Sequence, residues 1–144
     1  FLKSIPSKLS YLAGRSTKEL ERVIYYEMFM VIEPGASGLD KFALLEEDEY
    51  IEYALPDGRR IDIYDKANNV SYEVDWCKKW PEGIGQSLGY SIATKSQAGL
   101  ILLYKTGDDE YYNTALGVIN DLRRRGYEYH FIVVNVDNGK IWIF

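Results

Sequence analysis

Two residue types are almost missing from this chain. One cysteine and one histidine stand among 144 residues. Cys77 alone cannot close a disulfide within the chain, and with only His130 beside it there are too few ligands for a Cys/His zinc site. Any metal would have to be held by oxygen. Long apolar runs are missing too. None approaches the ~20 residues a bilayer-crossing helix needs, so no membrane is expected. No charged-then-apolar opening resembles a secretion signal. The chain begins at Phe1 rather than at a methionine, so a removed leader is compatible with it and localisation stays open, cytoplasmic by default. An excess of basic residues is also lacking. The net charge of −5 argues against broad attraction to nucleic acid, which comes mainly from summed phosphate contacts, while leaving room for a local basic groove.

What is present suits one ordinary core. At 47% apolar and 27% charged residues, the length fits a single domain spanning 1–144 rather than two. No repeat, linker or low-complexity segment interrupts it. Ser16-Thr17-Lys18-Glu19 has the form of a capping box, followed by Leu20, Val23, Ile24 and Val31 at helical spacing. Glu27 falls within that stripe. Either the helix is rotated and Glu27 is wet, or the residue points into a site. Glu33-Pro34-Gly35 breaks the pattern, and the acidic run Glu46 to Glu49 reads as a solvated edge.

Three strands then form a predicted antiparallel meander: Glu49 to Leu55, Arg60 to Tyr64 and Val70 to Trp76, with turns at Pro56-Asp57-Gly58 and Asn68-Asn69. Pro81 suits a helix start, and the helix is expected to run to about Lys95 with Ile84, Leu88 and Ile92 as its core ridge. Gly99 to Tyr104 reads as a strand buried on both faces. Asp108 is expected to cap a helix through Leu122, ended by Arg123-Arg124-Arg125 and Gly126, where basic residues and glycine are favoured for structural reasons alone. Tyr129 to Val136 and Lys140 to Phe144 form a final hairpin around Asp137-Asn138-Gly139. The predicted class is α/β (α+β), a central mixed sheet flanked by helices in the order α-βββ-α-β-α-ββ. An exposed final hairpin would let a second copy pair with it, making a homodimer.

The carboxylates of the meander carry the chemistry. Side chains alternate along a strand, so Asp62 faces away from Ile61 and Ile63, while Glu73 and Asp75 share a face opposite Val74. If the register sets these strands side by side, Asp62 and Glu73 approach closely. Two such carboxylates repel unless one takes a proton or a cation lies between them. Magnesium, or manganese, is held by one or two carboxylates plus water, and it can activate water against a phosphoryl centre. The plain alternative is the wet face of an antiparallel sheet, which periodicity alone favours.

The residues that follow extend this reading. Asp62, then Glu73-Val74-Asp75, then a helix bearing Gln86-Ser87-Leu88-Gly89-Tyr90, resembles the PD-(D/E)XK nuclease superfamily. There an Asp and a Glu on adjacent strands bind magnesium, a lysine two positions after the Glu assists the water, and many RecB-like members add a Q-x-x-x-Y on the next helix. The string from Tyr72 to Gln86 is similar to a group of small bacterial and phage members with an E-F-D-F…K-W-x-E-x-I-G-Q pattern. The likeness runs from about Glu52 to Tyr104. It implies a restriction-endonuclease-like core and a magnesium-dependent nuclease acting on DNA. Asp62 and Glu73 would be the metal ligands and Gln86 an auxiliary. Tyr90 is open between that line and a structural place, and Glu52 and Glu27 are candidates for a further acidic residue. One departure stands out: Asp75 occupies the lysine position. Lys79 falls where the similar group keeps its lysine, and Lys78 competes with it. Trp76 and Trp80 could stack on bases or serve as core, and His130 reads as structural. An inactive module that binds nucleic acid or a protein partner is the alternative function. An assembly protein, for which 13 tyrosines leave room, is a third.

Overall fold

The computed structural model describes residues 51–144, with the side chains of Ile51 and Glu52 excepted. The helix expected after Ser16 and the run Glu46 to Glu49 lie outside the described residues. Six strands and two helices follow: β1 (Ile51–Ala54), β2 (Arg60–Asp65), β3 (Val70–Trp76), a 3-10 turn (Cys77–Lys79), α1 (Trp80–Thr94), β4 (Gln97–Tyr104), α2 (Asp109–Arg124), β5 (Tyr129–Asn135) and β6 (Ile141–Ile143).

The turns obey their residues. Gly58 and Gly139 take φ of 89° and 75°, a conformation that suits glycine, and so close the first and last hairpins. Between β2 and β3, Asp65 accepts bonds from the Asn68 amide at 3.2 Å and its side chain at 2.8 Å. β4 starts earlier than the aliphatic run suggests, because the Gln97 amide donates to the Asn69 carbonyl at 2.8 Å and opens the pairing with β3.

All six strands form one mixed sheet in the order β1-β2-β3-β4-β5-β6. The outer pairs are antiparallel, whereas β3, β4 and β5 run parallel. Cys77, Ile84, Leu100, Leu102, Ala115, Ile119, Phe131 and Val133 share one core, so both helices pack on the sheet face that carries Leu100 and Phe131. The alternate positions Val70, Val74, Ile101, Leu103 and Ile132 are buried as well. β4 therefore lacks a wet face, as its unbroken aliphatic run implies.

Two local expectations are corrected. Ile92 is not part of the helix ridge; it is 80% exposed. The buried stripe of α1 is Gly83, Ile84, Ser87 and Tyr90, because the helix seats on the sheet through small residues that a count of large apolar side chains passes over. A Cβ at Gly83 would lie 2.6 Å from Leu100 Cδ1, which shows how closely backbone and strand approach. Asp108 precedes α2 but makes no side-chain cap. Its Oδ2 instead accepts from the Lys105 amide at 3.0 Å, holding the loop that leads into the helix.

Candidate functional site

Strands β2 and β3 pair from Asp65↔Val70 to Ile63↔Tyr72. At the next position the Val74 amide donates to Asp62 Oδ2 at 2.8 Å. A carboxylate thus takes the place of a ladder carbonyl, and Asp62 is held at the backbone of β3 beside Glu73. Asp62 is partly buried and Glu73 buried.

Glu73 and Asp75 lie opposite Leu100 and Leu102 in the parallel register, and both leucines belong to the helix-side core. The two carboxylates accordingly extend from the face covered by α1. Two observations agree. The Cβ position of Gly83 is 3.7 Å from Asp75 Cβ. On the same face, burial raises the Tyr129 hydroxyl above the usual tyrosine range, a bond to Ser87 opposes this, and the Glu73 charge adds to it.

Asp75 holds its proton to higher pH than an ordinary aspartate. Burial is the main cause; the Trp76 amide and the Lys79 charge pull the other way, and Glu82 adds to the rise. Lys79, not Lys78, is the lysine whose charge bears on Asp75, although both are exposed on the 3-10 turn. The turn itself places Lys79 at the N-cap of α1, with Pro81 in the first turn.

The sequence-level candidates separate into groups. Asp62, Glu73 and Asp75 lie along the stretch where β2 and β3 stop pairing, with Lys79 beyond the end of β3. Gln86 is exposed on α1, one turn beyond the exposed Glu82. Tyr90 is buried with Leu55 and Ile61, and the Arg59 guanidinium lies 5.8 Å from its ring centre. That packing turns the Glu82-Gln86-Tyr90 line of α1 toward β2, the strand that carries Asp62. Trp80 packs on the helix-side core. His130 Nε2 lies 2.6 Å from Gln97 Oε1 in a structural contact. Glu27 and the side chain of Glu52 lie outside the described residues.

Sequence reasoning missed a buried bond between Ser87 Oγ and Tyr129 Oη, 2.5 Å long. Ser87 also donates to the Ile84 carbonyl at 2.9 Å. The Ser87–Tyr129 bond joins α1 to β5 next to Gln86. No local pattern marks it, since its partners are far apart in the chain. It also missed Lys105, whose ammonium sits 4.2 Å above the Trp76 ring centre.

Among the described residues no group of three or more His, Cys, Asp or Glu side chains is placed to hold a metal ion. The donor chemistry of Asp62 and Glu73 still fits magnesium, which needs only one or two carboxylates with water completing its shell. No family model matches the chain, and no solved structure matches it.

Proposed function

We propose that this chain is a magnesium- or manganese-dependent nuclease on a restriction-endonuclease-like core, hydrolysing DNA phosphodiesters at Asp62 and Glu73. The observation that carries the reading is the Asp62 carboxylate fixed at the Val74 amide, one residue from the buried Glu73. Asp62 and Glu73 would hold the ion, which when bound lowers the pKa of water and draws charge from the phosphoryl group. The Val74 amide fixes Asp62 in orientation. Lys79 would orient the attacking water or support the charge that builds on the phosphate. Gln86, exposed on the side of α1 turned toward β2, would contact a neighbouring phosphate oxygen.

The test is cleavage of plasmid and single-stranded DNA with magnesium or manganese. Glu73→Ala and Asp62→Asn are expected to fall to background, and Lys79→Ala to lose on the order of 10²–10³ in kcat, as for removal of a single donor to developing charge. A wild-type chain inert on every substrate and metal ends the catalytic reading.

One observation favours a second reading, a binding module that has lost its chemistry. Asp75 occupies the position where a lysine is expected and resists ionisation. If metal leaves thermal stability unchanged while oligonucleotide or a protein partner still binds, that reading replaces the first.

A further inference from the structure

The carboxyl ends of β3, β4 and β5 lie side by side, since Trp76 pairs with Leu103 and Tyr104 with Asn135. Ligands of sheets with parallel strands commonly bind at this end. Three exposed lysines stand there: Lys78 and Lys79 after β3, and Lys105 after β4. Among the described residues the ion pairs are Arg59 with Asp57 and Arg124 with Asp121, so none of these lysines is neutralised by one.

The carboxylates nearby are engaged in shaping the loops. Asp108 accepts from the Lys105 amide at 3.0 Å. Asp109 accepts from the Tyr104 hydroxyl at 2.9 Å, and Asp137 from the Thr106 amide at 3.2 Å and hydroxyl at 3.1 Å. Lys105 differs from an ordinary surface lysine, because its ammonium is drawn onto the face of Trp76 at 4.2 Å from the ring centre. A cation over an aromatic face is held by the ring quadrupole and gives up part of its freedom before any partner arrives. It also covers one face of the ring.

We propose that Lys105, seated on Trp76, is a phosphate-binding residue for a polynucleotide strand at the carboxyl end of the parallel strands. The inference rests on the nuclease reading for the identity of the polyanion. Its own content is that the Trp76–Lys105 pair reads phosphate and not base. A phosphate contact strengthens binding to all sequences alike and adds to its salt dependence, whereas a stacked base, though also tolerant of sequence, leaves the salt slope unchanged.

Binding of short oligothymidylate and oligodeoxyadenylate to the full chain, measured in EDTA over a series of salt concentrations, tests it. Replacing Lys105 by glutamine is expected to flatten the slope of log K against log salt by about 0.7, the share of one phosphate contact on a single strand. The loss should be equal for the two oligonucleotides, and Lys105→Arg should restore the slope. An unchanged slope with the parent chain still binding overturns this inference and leaves the nuclease reading standing. A loss confined to one base composition also overturns it, since Trp76 would then be reading bases. Failure of the parent to bind either oligonucleotide overturns this inference, while the nuclease reading is decided separately by the cleavage assay with metal.

Discussion

Asp75 carries two opposing influences, and their balance is measurable. Alternation along β3 was enough to set it on the face of Glu73, so its placement was legible from the string Glu73-Val74-Asp75. Its resistance to ionisation was not, because that comes from α1 closing over the strand through Gly83. The folded chain binds the Asp75 proton more tightly than the unfolded chain does. Between the ordinary value of 3.8 and the raised folded value, folding therefore takes up a proton, and the contribution of this group to stability falls as pH rises through that window. Asp75→Asn is expected to be more stable than the parent at neutral pH, with the difference closing once pH drops below 3.8. Urea denaturation across pH checks this; a variant less stable than the parent at pH 7 would mean that the Lys79 attraction outweighs the desolvation.

At the scale of elements, α1 shows where sequence reasoning holds and where it slips. Pro81 announced the helix start and the tail after Thr94 was nearly right, because caps and breakers act locally. The buried side was misjudged at Ile92, since contact with the sheet is made by Gly83 and Ser87, small residues that no hydrophobic pattern reveals. The Ser87–Tyr129 bond between helix and β5 gives an asymmetric prediction. Tyr129→Phe leaves Ser87 still bonded to the Ile84 carbonyl, so only a net hydrogen bond is lost, about 0.5–1.5 kcal/mol. Ser87→Ala leaves a buried phenol hydroxyl with its partner removed, a loss of about 1–3 kcal/mol. Chemical denaturation of both variants should place Ser87→Ala lower. The reverse order would show that Tyr129 is the acceptor.

For the molecule as a whole, the centre of stability is β4. Leu100, Ile101, Leu102 and Leu103 are fully buried and hydrogen-bonded between two parallel neighbours. Amide exchange is expected to be slowest there and fastest in β6, an outer strand of three residues. Comparable exchange in β6 and β4 would refute that gradient. Much of this arrangement was readable beforehand, because a continuous aliphatic run and two clear hairpin turns dictate burial and neighbours. The splay between β2 and β3 was not, since it depends on one carboxylate displacing a ladder bond at Val74. The sheet has one further property. Its spatial order repeats its chain order from β1 to β6, so no described strand must be inserted between two already in place. A chain that leaves the ribosome amino end first can therefore add each strand to the open edge left by the one before it, building the sheet as it is translated.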